Sequence, residues 1–176
     1  MYIIENIKDI SIKLKDLKLE SNKTIFVFDI HRTTLTKEGF VNLEVKKYIL
    51  HLLEHNYNII FLSYDGKIDR MIENNKLLDK IKEYRNIPRI FIKKRNKQTV
   101  LQELCKINTI DKRMKYKAIL IDDNIQNIKD VINLKDPYII SYYYTKYNNY
   151  NNYNNYNNGN KNLKALKELF NVFKSI

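Results

Sequence analysis

The sequence predicts an α/β domain built on a parallel sheet. Short apolar runs recur along the chain, amphipathic helical patterns separate them, and several of the runs finish on a polar residue. A length of 176 residues with 44% hydrophobic content suits one compact domain with a sizeable core.

Ile3, Ile4, Ile7, Ile10, Leu14 and Leu17 recur at three- and four-residue steps with charges between them, so residues 2–18 read as an amphipathic helix. Residues 1–23 are expected to pack on the core as an N-terminal helix, and residues 24–146 to form that core. Its first strand is TIFVF, Thr24 to Phe28, apolar on both faces as in a parallel sheet covered on both sides. Asp29 then stands at the strand's carboxyl end. Ligands of open α/β sheets bind in the crevice outside those ends, so this carboxylate is placed either for chemistry or to cap a turn.

A loop from Ile30 to Phe40 contains Thr33, Thr34 and Gly39 and leads to a helix with Val41, Val45, Tyr48, Ile49, Leu52 and Leu53 on one face. His51 and His55 lie on that helix without an acidic or cysteine partner at ligand spacing and read as ordinary helix residues. NIIFLS is the second strand, ending on the hydroxyl of Ser63. Asp65 and Gly66 turn the chain into a helix from Ile68 to Tyr84, with Met71, Ile72, Leu78 and Ile81 inward. Pro88 blocks further helix, and RIFIK, from Arg89, is the third strand.

The basic loop KKRNK opens a helix from Lys97 to Ile107 whose apolar stripe is Val100, Leu101, Leu104 and Cys105. Basic side chains at a helix start oppose the helix dipole, a placement better explained by an anion to be bound than by stability. YKAILIDD is the fourth strand and ends in Asp122 and Asp123, adjacent acids that repel each other unless a cation lies between them and their neighbours. A helix follows from Asn124 to Leu134 with Ile125, Ile128, Val131 and Ile132 inward, and YIISYYY after Pro137 is the fifth strand. Residues 147–160 repeat an Asn/Tyr unit with almost no aliphatic content and read as a disordered low-complexity insertion. Residues 161–176 carry Leu163, Leu166, Phe170 and Phe173 on one face and read as a last helix.

Lys and Arg number 32 against 20 Asp and Glu, a formal charge of +12, which favours polyanionic partners but is also what an AT-rich coding sequence yields. Cys105 is the only cysteine, so no intrachain disulfide can form and a reducing compartment is expected. Glu5, Lys8 and Asp9 interrupt any signal-peptide core, and no apolar run approaches a membrane span. The expectation is a cytoplasmic protein without a membrane partner; oligomeric state is not legible.

DIHRTTL, FLS, the lysine-rich helix start and LIDDN stand in an order that resembles the haloacid dehalogenase (HAD) superfamily of phosphatases. The resemblance spans Thr24 to Tyr144. It implies a Rossmann-like three-layer α/β/α sandwich with five parallel strands in the order 5-4-1-2-3, counted from Thr24–Phe28. By position Asp29 is similar to the family's nucleophile, Thr33 to the loop threonine and Ser63 to the second motif. Lys97 best matches the third motif, with Lys93 and Lys94 as rivals, and Asp122 with Asp123 match the fourth.

The implied activity is magnesium-dependent phosphate-ester hydrolysis through an aspartyl-phosphate. Asp29, Asp122, Asp123 and the carbonyl of His31 are the implied metal ligands. The chain departs from the pattern at His31, where the family has a second Asp serving as acid and base, and at Arg32, where glycine is usual. Histidine performs acid and base work near neutral pH. The intervals where family members carry cap domains hold only one helix each, which implies an open site and large substrates. LIDDNIQNI is also similar to the phosphatase domain of bacteriophage polynucleotide kinases, making nucleic-acid termini the first substrate to consider. The competing expectation is a non-catalytic module of the same fold that binds nucleic acid or protein through its basic surface.

Overall fold

The structure is a computed structural model that describes residues 2–4, 7, 9, 10, 17, 19–65, 67–93, 96–107 and 116–145. The Asn/Tyr repeat, the C-terminal helix expected over 161–176 and most of residues 5–18 lie outside the described residues. The elements in chain order are β1 (Tyr2–Ile4), β2 (Thr24–Phe28), α1 (Leu43–Glu54), β3 (Asn58–Tyr64), α2 (Ile68–Asp79), β4 (Arg89–Ile92), α3 (Lys97–Ile107), β5 (Lys117–Asp122), α4 (Ile125–Asn133) and β6 (Ile139–Tyr144).

All six strands are parallel and lie in the order β1-β6-β5-β2-β3-β4. The sheet holds six strands where five are expected, so its full order gains β1 beyond β6; the five strands counted from Thr24–Phe28 keep the sequence 5-4-1-2-3 within it. The additional strand is the start of the segment read as a helix: Tyr2, Ile3 and Ile4 pair with Tyr142, Tyr143 and Tyr144. Apolar spacing alone misassigned it because Ile3 and Ile4 are β-branched and β6 offers a free edge of backbone donors and acceptors, a partner no local pattern reveals. Ile4, Ile7 and Ile10 are nonetheless buried in the same cluster as Phe26 and Phe28.

Alternation along the central strands divides the core in two. Phe26 and Phe28 of β2 and Ile119 and Ile121 of β5 pack with Val45, Ile49, Leu52 and Leu78 from α1 and α2. Ile25, Val27, Ala118 and Leu120 pack on the opposite face with Val100, Leu101, Leu104 and Cys105 of α3 and Ile128 and Val131 of α4. Helices therefore cover both faces, which is why β2 and β5 are apolar at successive positions.

The helix expected to run to Tyr84 stops at Asp79 and gives way to a 3-10 turn at Lys82–Tyr84. Arg89 fastens the break, donating from one guanidinium nitrogen to the Asp79 carboxylate at 2.6 Å and to the Tyr84 carbonyl at 3.2 Å. The turn swings the Tyr84 ring into the core against Phe61, with ring centroids 5.1 Å apart. α2 is also rotated relative to its apolar pattern: Ile72 is 48% exposed, whereas Asn74 and Leu78 are its buried residues.

Candidate active site

Strand register brings the acids together. Phe28 of β2 lies opposite Ile121 of β5, so the next residues, Asp29 and Asp122, emerge side by side at the carboxyl ends of adjacent strands. The Asp29 amide still donates to the Ile121 carbonyl at 2.9 Å, which holds the ends together. β2 is flanked by β5 on one side and β3 on the other, with its successor along the chain on only one of them. This is where the connections diverge and a crevice opens.

The loop after Asp29 is tied back on itself. Thr34 donates to the Asp29 carbonyl from its hydroxyl at 2.7 Å and its amide at 3.2 Å, and Leu35 N–H donates to the Ile30 carbonyl at 2.8 Å. Asn42 closes the loop by donating to the Thr33 carbonyl at 2.9 Å while its side-chain oxygen caps α1 by accepting from the amides of Glu44 and Val45. Thr34 is thus the threonine that ties the loop back to Asp29. The Thr33 hydroxyl is fully buried without a hydrogen-bond partner among the described residues. Arg32 sits at φ 56°, the left-handed region where a glycine costs least.

Lys97, the first residue of α3, is 3% exposed and donates to both Asp29 and Asp122, the latter at 2.7 Å. Of its sequence rivals, Lys93 is exposed and does not line the site, and Lys94 lies outside the described residues. Asp122 is engaged through both oxygens, since it also accepts from the Asn127 amide at 2.9 Å and from the Asn124 backbone N–H at 2.8 Å. Asn127 carries no sequence signal beyond its place one turn into the helix after LIDD.

Asp29, Asp122 and Asp123 offer carboxylate oxygens that all lie within 4.8 Å of one another. Burial pushes the Asp29 carboxyl up, and Asp122 and Asp123 add to this against the lowering effect of Lys97. Burial alone would lower the Lys97 ammonium, yet facing Asp29 and Asp122 it is held above the ordinary lysine value. The proton therefore belongs to the lysine. Asp123 is pushed up to about 6, by burial first and Asp122 second, with Arg32 and Lys97 opposing. Three carboxyl groups crowd one buried ammonium, and hard oxygen donors at this spacing could hold a metal ion.

Asp29, His31, Ser63, Lys97, Asp122 and Asp123 line one open cavity of about 860 Å³. The Ser63 hydroxyl is buried there without a hydrogen-bond partner among the described residues. Arg32, Lys37 and Arg70 add positive charge to the lining. Two buried polar residues beside the cavity escaped sequence reasoning. Asp65 reads from the sequence only as a turn residue and Asn74 is not singled out at all, yet both meet His31. The position of Asp65, two residues beyond Ser63 at the same strand end, was an available signal; Asn74 had none.

No protein-family model matches the chain, nor does any curated protein or solved structure. Among the described residues no helix is long and apolar enough to cross a membrane.

Proposed function

We propose that this chain is a magnesium-dependent phosphohydrolase of the haloacid dehalogenase type, with a Rossmann-like core and an aspartyl-phosphate intermediate. The observation that carries the reading is Lys97, buried between Asp29 and Asp122 at the ends of adjacent parallel strands, with Asp123 within ligand distance. An anionic nucleophile can approach an anionic phosphate only where positive charge stands beside both.

In this reading Asp29 attacks phosphorus and takes the phosphoryl group while Lys97 neutralises charge on it. The unpartnered Ser63 hydroxyl donates to a phosphoryl oxygen, and His31, lining the same cavity, exchanges protons with the leaving group and then with water. Asp29 and Asp123, with Asp122 and the His31 carbonyl completing the set, would hold magnesium. The ion when bound supplies Lewis-acid charge neutralisation and offsets the crowding of the acids. The open cavity and its cationic rim of Arg32, Lys37 and Arg70 favour a large polyanionic ester, with a nucleic-acid terminus first.

The alternative is a binding module that keeps the fold and lacks turnover. It is favoured by Arg32, whose guanidinium acts electrostatically on Asp123 from a left-handed backbone position where the resemblance leads one to expect glycine. Purified protein with magnesium is expected to release phosphate from an aryl phosphate and from a phosphorylated oligonucleotide end, and Asp29→Asn to abolish both. Wild-type inactivity cured by His31→Asp would assign the chain to the alternative.

A further inference from the structure

Tyr64 holds an aromatic ring in solvent at the mouth of the cavity. It is the last residue of β3, is 61% exposed and lines the same wall as Asp29 and Lys97. Strand alternation fixes its side: Val27, Leu62 and Leu120 all pack on the α3 and α4 face, and two residues further on Asp29, Tyr64 and Asp122 continue that face. Register fixes its height. Phe28 lies opposite Phe61, which makes Asp29 level with Leu62 and sets Tyr64 two residues, about 7 Å, further along the strand direction. That step is on the scale of the sugar that separates a terminal phosphate from its own base. Tyr143 also lines the cavity, but it is half-buried against the core of the α3 and α4 face.

The helix that follows Tyr64 carries both apolar and cationic groups into solvent. Ile68 and Ile72 share one face of α2 four residues apart and are both exposed, while Arg70 of the same helix lines the cavity with Lys37 from the loop after β2. Large apolar side chains exposed beside a charged cavity mark a surface that meets a ligand. A ligand with flat rings and several phosphates answers both kinds of group. A single nucleic-acid strand has both, a sugar phosphate lacks the rings, and a phosphopeptide need carry neither ring nor second phosphate. Inside a duplex the base is already paired and stacked, so its face is offered only after unstacking.

We propose that Tyr64 is a specificity-determining residue, on whose ring the base of the phosphorylated terminal nucleotide of a single strand stacks while Arg70 and Lys37 take the phosphates that follow. The inference rests on the phosphohydrolase reading, which places the terminal phosphate at Asp29. Base stacking on an aromatic ring tolerates any base, because each has a π-face, so Tyr64 selects for the presence of a base and not for its identity. The stack is the same in the bound ester and in the transition state. It therefore lowers KM and leaves kcat to the groups around phosphorus.

The test uses full-length protein with magnesium and terminally phosphorylated trinucleotides whose phosphorylated residue either carries thymine or is abasic. Wild type is expected to prefer the base-bearing end by about 10- to 100-fold in kcat/KM, through KM. Tyr64→Ala is expected to bring that ratio close to one, and Tyr64→Phe, which keeps the ring, to retain it. Equal kcat/KM on the two ends in wild type, or a preference that survives Tyr64→Ala, would overturn the proposal. Calorimetric Kd values for the same pair of trinucleotides, with a non-hydrolysable methylenephosphonate in place of the phosphate, give an answer independent of turnover. Tighter binding of the base-bearing analogue by wild type and Tyr64→Phe, lost in Tyr64→Ala, is expected; no difference in Kd would overturn the proposal whether or not the protein turns over. Wild-type inactivity on both ends with the Tyr64-dependent difference in Kd intact would locate the failure in the phosphohydrolase reading and keep Tyr64 as the base-binding residue of a non-catalytic module.

Discussion

Asp123 concentrates the electrostatic conflict of the site in one side chain. Its folded pKa of about 6 lies above the ordinary 3.8, so the folded state binds the proton more tightly than the unfolded chain does. Stability contributed by this group is therefore present at low pH and lost as pH rises from 3.8 to about 6. Asp123→Asn removes the charge and is expected to stabilise the protein by about 1–2 kcal/mol at neutral pH, after a discount for partial solvent screening. Urea unfolding at neutral pH and below the unfolded pKa checks the sign: the gain should vanish in acid, and a gain independent of pH would point to packing. A cation relieves the same conflict, so magnesium is expected to raise the Tm of the wild type more at neutral pH than in acid. It should raise that of Asp123→Asn less.

The element that turns a strand-end aspartate into a site is the loop from Asp29 to Asn42. Asn42 does three things there: it caps α1, donates to the Thr33 carbonyl and donates to the Tyr144 hydroxyl at 3.2 Å. Asn42→Ala is expected to cost about 2–3 kcal/mol, roughly one for the cap and the rest for buried hydrogen bonds left unmade. Asn42→Asp keeps the capping oxygen and loses the donor. It should recover about 1 kcal/mol of cap while leaving the Thr33 carbonyl unpaired. Equal destabilisation of the two variants, measured by denaturant midpoint at constant m, would show that capping contributes nothing here.

At the scale of the molecule the N-terminus is part of the sheet rather than an appendage to it. β1 pairs with β6, and the Ile4 carbonyl accepts from the Thr145 backbone N–H at 3.1 Å and from its hydroxyl at 3.4 Å. Ile4 is fully buried in the cluster that contains Phe26, Phe28 and Tyr144. Ile4→Ala is accordingly expected to cost about 2–4 kcal/mol, as for a large-to-small change in a packed core, and to lower Tm measurably. A loss below about 0.5 kcal/mol, the scale of a surface substitution, would detach the segment from the core.

The strand-ending acids, the hydroxyl of Ser63 and the α/β alternation were legible because each is local: a period of two or of 3.6 residues, and a polar residue where an apolar run stops. Asp29 and Asp122 could be singled out for that reason, whereas Lys97 was reached through the family resemblance, with Lys93 and Lys94 as rivals. What the sequence alone did not contain is who meets whom. Residues 2–4 became a strand because β6 had an open edge. The Thr34 hydroxyl meets the Asp29 carbonyl five residues back, a contact no spacing pattern announces. Asn74 is buried while Ile72 is exposed, and Asn74 meets Asp65 and, from a distant part of the chain, His31. Such choices depend on partners brought together by folding, and burying a charged or polar group is tolerated only where those partners are already in place.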